Sequence, residues 1–127
     1  MNKVMILSAE LSTLDKDTNE QRTAQLRQLL NDNNLPYIQC VGSYQGVEEV
    51  SFAVVVNVEQ AKSMVIEMGQ MFGQECVLYR DNYGHCSLLY SDREESIGTM
   101  IAVPEAKAME HDSWTYNPVA ETYFIVV

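Results

Sequence analysis

Tyr37-Ile-Gln-Cys-Val-Gly-Ser-Tyr-Gln-Gly-Val-Glu-Glu-Val-Ser-Phe-Ala-Val-Val-Val-Asn57 is the stretch on which the fold turns. Tyr37 to Tyr44 reads as a strand. Gly42 to Gly46 holds the turn formers, and Val50 to Asn57 reads as the next strand, with the dense run Phe-Ala-Val-Val-Val. A short acidic turn between two strands predicts a hairpin. Upstream, residues 3 to 9, Lys-Val-Met-Ile-Leu-Ser-Ala, form a continuous apolar run suited to a covered central strand. Between them Thr18-Asn-Glu-Gln21 has the form of a capping box, predicting a helix from about Asn19 to Asp32 that Asn33, Asn34 and Pro36 terminate.

Downstream, Val58, Ala61, Met64, Val65, Met68, Met71 and Phe72 recur at three and four residues, the spacing of a helix with one apolar face, and Gly73 closes it. Cys76 to Arg80 and Cys86 to Tyr90 flank the turn residues Asp81-Asn-Tyr-Gly84 and predict a second hairpin. Ile97 to Val103, Pro104 to Met109 and Thr122 to Val127 read as a strand, a short helix and a terminal strand. The order strand, helix, strand, strand, helix, strand predicts an α+β fold. Its core is a ferredoxin-like βαββαβ unit, a mainly antiparallel sheet with two helices on one face, plus extra C-terminal strands and a short helix. The opposite face is left for the tail, for a second subunit of a homo-oligomer, or for a ligand.

At 127 residues the chain is expected to be a single domain, 1 to 127. Eight Lys and Arg stand against 18 Asp and Glu, a formal charge of −10. Residues 1 to 47 carry four basic and five acidic side chains, and residues 48 to 127 four basic and thirteen acidic. That balance argues against a nucleic-acid scaffold, which needs clustered Lys and Arg. No apolar run reaches the roughly 18 residues of a membrane span, and Cys40, Cys76 and Cys86 read as buried thiols, so a cytoplasmic protein is expected.

On the first helix Arg22 and Asn19 continue the stripe of Leu26, Leu29 and Leu30, which brings a guanidinium and an amide to the core edge beside a positive helix terminus. Arg22 there serves either as a snorkelling side chain paired with a carboxylate such as Glu49, or as an anchor for an anionic group of a small ligand. Gly42-Ser-Tyr-Gln-Gly46 serves either as a turn or as a loop whose backbone meets a ligand on which Tyr44 stacks. Ser51 and Gln74 are polar interruptions of apolar segments. His85 and His111 lack metal-ligand or triad spacing, and no phosphate loop or nucleophile elbow is present, so neither a metal nor a cofactor is expected and catalysis is disfavoured.

Asn19-x-x-Arg22, Gly42-x-Tyr44-x-Gly46, Glu49-x-Ser51-Phe52 and Phe72-Gly73-Gln74 followed by Val77-Leu78-Tyr79 resemble the motif series of a domain family of unknown function in small phage and bacterial proteins. The resemblance covers about residues 4 to 90, with Gly98-Thr99-Met100 and Tyr123-Phe124-Ile125-Val126 similar to the tail of phage members. It implies a phage protein acting in an infected bacterium, and a residue set rather than a mechanism. Asn19, Arg22, Tyr44, Ser51 and Gln74, supported by Gly42, Gly46, Glu49 and Gly73, are then expected to hold a small polar or nucleotide-like ligand. The expected function is a non-enzymatic binding protein that sequesters such a ligand, a host immune signal. The alternative is an acidic inhibitor seated on a basic site of a host protein, or a nucleotide hydrolase.

Overall fold

The computed structural model describes residues 1–127. The strands are β1 (Val4–Leu7), β2 (Tyr37–Tyr44), β3 (Val47–Val55), β4 (Val77–Arg80), β5 (His85–Leu89), β6 (Glu94–Val103), β7 (Ser113–Asn117) and β8 (Thr122–Val126), and the helices are α1 (Lys16–Asp32), α2 (Glu59–Met71) and α3 (Glu105–Ala108). Helix α1 starts three residues ahead of Asn19 because Asp15, not Thr18, is its cap: the Asp15 carboxylate accepts the Thr18 N–H at 2.7 Å. Asn34, at φ 54°, takes the left-handed conformation beyond the end of α1. Gln45 and Gly46, at φ 51° and 82°, make a two-residue turn that matches the strand twist, so β3 begins at Val47 rather than Val50. Ahead of α2, Asn57 Oδ1 accepts the Lys3 N–H at 2.9 Å and ties the N-terminus down.

All neighbouring strands are antiparallel, and they close in the order β1-β3-β2-β7-β8-β6-β5-β4 back to β1. The expected open ferredoxin-like βαββαβ sheet is therefore corrected to a closed eight-stranded barrel carrying three helices. Two features cause the closure. Ser113-Trp-Thr-Tyr-Asn117, which lies outside the expected strands, is rich in strand formers and pairs with β2 through Gly42 and Thr115 and with β8 through Thr115 and Phe124. Strand β6 bends: its register with β5 shifts between Cys86 and Ser87, and Gly98 lies at φ 126°. Its first half pairs with β5 and its second half with β8, so a bulge and a glycine turn one strand into the corner that joins two parts of the sheet.

The main core lies outside the barrel wall. Met5, Leu7, Phe52 and Val54 project from one face of β1 and β3 onto Leu26 and Leu30 of α1 and Val65 and Met68 of α2, all buried. Alternation along the strands sends Val4, Ile6, Ala53 and Val55 to the opposite face, which is the barrel lumen. Those lumen side chains are only half-buried. An eight-stranded barrel is just wide enough to be filled by side chains or to hold one small ligand. Gly42, Ser51, Ala53 and Thr115 are small, and the lumen here keeps an open cavity at each end, the two meeting at Ile6, Met100, Thr115 and Phe124. No helix is long and apolar enough to cross a membrane.

Candidate functional site

The cavity at one end of the lumen has a volume of about 620 Å³ and is lined in part by Ser8, Gly42, Tyr44, Glu49, Ser51, Gln74, Cys76 and Tyr90. Its floor is set by strand register. Glu49 pairs with Gly42, and Gly42 with Thr115, so the carboxylate and the hydroxyl flank a position with no side chain. A Cβ added at Gly42 would lie 3.2 Å from the Ser51 Oγ, so the glycine keeps the row open. Glu49 and Ser51 are two apart on β3 and share the lumen face.

Glu49 is the electrostatic centre of this end. Burial pushes its carboxyl above the ordinary carboxylate value, and the neighbouring Glu10 adds repulsion. Glu10 arrives on the segment after β1, where its carboxylate accepts the Val50 N–H and its backbone carbonyl accepts Gln74 Nε2 at 3.0 Å. Ser8 donates to the Val50 carbonyl at 2.7 Å. The opposite wall holds Tyr90, whose ring stacks under the Arg93 guanidinium at 3.8 Å and whose hydroxyl lies 3.5 Å from Glu95. Burial raises the Cys76 thiol above its ordinary value, which disfavours the thiolate; Cys40 is pushed up to about 11 by the same cause. No grouping of three or more His, Cys, Asp or Glu side chains could hold a metal ion.

The residues singled out from sequence separate into two groups. Tyr44, Ser51, Gln74, Gly42 and Glu49 line the cavity, with Tyr44 at its rim, 64% exposed. Asn19 and Arg22 stand behind the wall. Asn19 accepts the Leu11 N–H and donates to the Leu11 carbonyl, both at 3.0 Å. Arg22 Nε donates to the Ala9 carbonyl at 2.7 Å, a terminal nitrogen donates to the Phe72 carbonyl, and the guanidinium lies over the Phe72 ring at 5.3 Å. Arg22 thus meets carbonyls rather than Glu49, and with Asn19 and Gln74 it fixes the segment that carries Glu10. Gly46 and Gly73 serve as turn residues at φ 82° and 70°, outside the lining.

Sequence reasoning passed over Glu10 and Tyr90. The signal for Glu10 was the polar break Ser8-Ala9-Glu10 at the end of an apolar strand; Tyr90 carried none beyond its place at a strand end.

Because Arg22 satisfies two part-buried carbonyls, Arg22→Met is expected to lower folding stability by about 2 kcal/mol, read from the urea midpoint. Arg22→Lys should rescue little of it, since an ammonium cannot span both acceptors. A midpoint unchanged in Arg22→Met would refute the bracing role.

In its electrostatics this end combines a half-buried carboxylate, aromatic rings at its rim and wall, and a strongly acidic chain. It suits a small cation rather than an anion. The model of the S-adenosylmethionine lyase family matches residues 5–127 of the chain. No curated protein matches it. The family match overturns the expectation of a non-enzymatic protein, whether ligand sequestering or inhibitor, because the family is one of enzymes that degrade their ligand.

Proposed function

The chain belongs to the S-adenosylmethionine lyase family, and from that premise we propose that it breaks a carbon–sulfur bond of S-adenosylmethionine in the Glu49 cavity. The observation that carries the reading is Glu49 itself, a half-buried carboxylate in a cavity of about 620 Å³. That volume is within the roughly 300–1,000 Å³ range of small-molecule sites. S-adenosylmethionine brings two cationic groups, an ammonium and a sulfonium. Their fates differ.

The ammonium keeps its charge throughout the reaction, whereas the sulfonium becomes a neutral thioether as the bond breaks. A fixed carboxylate beside the sulfonium would stabilise the reactant more than the transition state and slow cleavage. Glu49 is therefore assigned to the ammonium. The sulfonium is assigned to the apolar waist of Ile6, Met100 and Phe124, where little solvation opposes the loss of charge.

A lyase uses no water, and the substrate supplies its own nucleophile. Its carboxylate attacks the methionyl carbon bonded to sulfur, a C–O bond forms as the C–S bond breaks, the bonding pair goes to sulfur, and a lactone and methylthioadenosine result. Both charges disappear together, which a low-dielectric lumen favours. Tyr44 at the rim is assigned to stacking on the adenine, and Ser51 and Gln74 to hydrogen bonds with the polar groups that flank it. Loss of S-adenosylmethionine would starve methyl-transferring enzymes, which fits a phage protein acting against host defence in an infected bacterium.

Incubation of the purified protein with S-adenosylmethionine, followed by mass spectrometry, tests the reading. Methylthioadenosine and a lactone are expected, with no S-adenosylhomocysteine. Recovery of intact S-adenosylmethionine after prolonged incubation would refute it, and an unsaturated amino acid in place of the lactone would replace the displacement with an elimination.

A further inference from the structure

The opposite end of the lumen is a second open cavity, of about 600 Å³, and its chemistry is the reverse of the Glu49 end. Val4, Ile6, Ile38, Val55 and Phe124 make its walls apolar, and Arg80 is the only charged side chain in the lining. Arg80 comes from the end of β4 and pairs across to the buried Cys86 of β5, so strand register fixes it on the lumen face.

Its guanidinium is almost without protein partners. One terminal nitrogen donates to the Asn2 carbonyl at 3.0 Å, and Nε is buried with no acceptor at all. The chain's ion pairs involve Lys16, Arg93 and Lys107, and none includes Arg80. In a chain with 18 acidic side chains and eight basic ones, a half-buried arginine without a carboxylate is a vacancy in the electrostatics. Nε is closed off from the cavity, so it is the terminal nitrogens, one of them held only by the Asn2 carbonyl, that would meet a ligand acceptor.

We propose that this cavity binds a small apolar molecule ending in a single carboxylate, with the acid group on Arg80 and the hydrocarbon body along the lumen. The planar guanidinium matches the two oxygens of a carboxylate, and the apolar walls match a hydrocarbon body. A phosphate or a sugar acid would lose most of its hydration for one cation. The acidic cavity shares Ile6, Met100, Thr115 and Phe124 with this one, the waist given above to the sulfonium, so the two ligands would meet there while Arg80 and Glu49 lie at opposite ends of the lumen.

Isothermal titration with sodium octanoate and with n-octanol, of the same chain length and uncharged, tests it. Octanoate is expected to bind one to one and at least about tenfold more tightly than octanol, the difference reporting the charge-assisted contact. Arg80→Met should bring octanoate down to the octanol affinity and leave octanol unchanged. Arg80→Lys keeps the charge and a donor for Asn2 but loses the fork, so it decides the matter if the Met variant does not fold; it should weaken octanoate severalfold and octanol not at all. Equal affinities of the two probes, no saturable octanoate binding, or octanoate affinity untouched by the folded variant would overturn the proposal. So would a matching loss of S-adenosylmethionine binding in Arg80→Lys, since the carboxylate taken by Arg80 would then be the substrate's.

Discussion

Glu49→Gln is expected to lower kcat/KM for S-adenosylmethionine by about 30-fold or more while raising the thermal midpoint of the folded protein. The first effect follows from removing the carboxylate that faces a cation in a partly desolvated cavity. Charged hydrogen-bonded partners of this kind cost about 2–5 kcal/mol when one is truncated, and each 1.36 kcal/mol is tenfold in rate. The second follows from the raised carboxyl of Glu49, whose causes are burial first and Glu10 second. Below the ordinary carboxylate range both folded and unfolded chains hold the proton. As pH rises through the unfolded value toward the higher folded one, the unfolded chain releases its proton first, so stability falls across that window. Above that window the raised carboxyl of Glu49 is thus a cost to the fold, which the neutral amide removes.

Activity should show the opposite slope. Cation binding needs ionised Glu49, so kcat/KM falls as pH drops through its raised value. In the complex the bound ammonium pulls that value down, and the acid limb of kcat should lie at lower pH than the limb of kcat/KM. Glu49→Gln should erase the limb. A variant that turns over within a few-fold of the parent, or a limb that persists in it, would remove Glu49 from the substrate site.

Gly98→Ala is expected to destabilise the fold by more than about 3 kcal/mol, the range reached when a positive-φ glycine is replaced and backbone atoms clash as well. Gly98 sits at φ 126°, and a Cβ there would meet the Val127 carbonyl oxygen at 2.2 Å and its carbon at 2.8 Å. Backbone cannot give way as a flexible side chain can. Displacing Val127 would break its paired hydrogen bonds with Thr99, at 2.8 and 2.9 Å, where β6 joins the C-terminal strand. Gly84→Ala is the comparison: its φ is 89°, but the nearest atom to an added Cβ is the Thr99 Cγ2 at 3.7 Å. Only backbone strain of about 1 kcal/mol is expected there. Urea unfolding measures both, and hydrogen exchange at Thr99 and Val127 should accelerate in Gly98→Ala alone. Equal midpoints for the two variants would mean that closure does not depend on the close approach at Gly98.

Much of this site was legible because its signals are local. Glu49 and Ser51 stand two apart in a strand, which puts them on one face whatever the strand pairs with. The glycines at 42 and 46 marked the hairpin, and Arg22 was correctly located on the inner stripe of α1. Its partners were not legible, since the carbonyls of Ala9 and Phe72 belong to every residue type and leave no sequence signature. The sequence leaves Arg22 open as a snorkelling side chain or a ligand anchor, and in the structure it holds the segment that brings Glu10 beside Glu49.

Alone, the sequence determined the positions of α1, α2 and most strands, through apolar periodicity and turn residues that act over a few positions. Only the tertiary structure decided closure and the inside of the barrel. Strand β1 is apolar on both faces, so nothing local tells Met5 and Leu7, which pack on the helices, from Val4 and Ile6, which line the lumen. Sheet closure depends on a pairing between Gly42 and Thr115, 73 residues apart, and on a bend at Gly98 set by contact with Val127. Such contacts are properties of distance in space, and they create the two oppositely charged ends that the run of residues does not display.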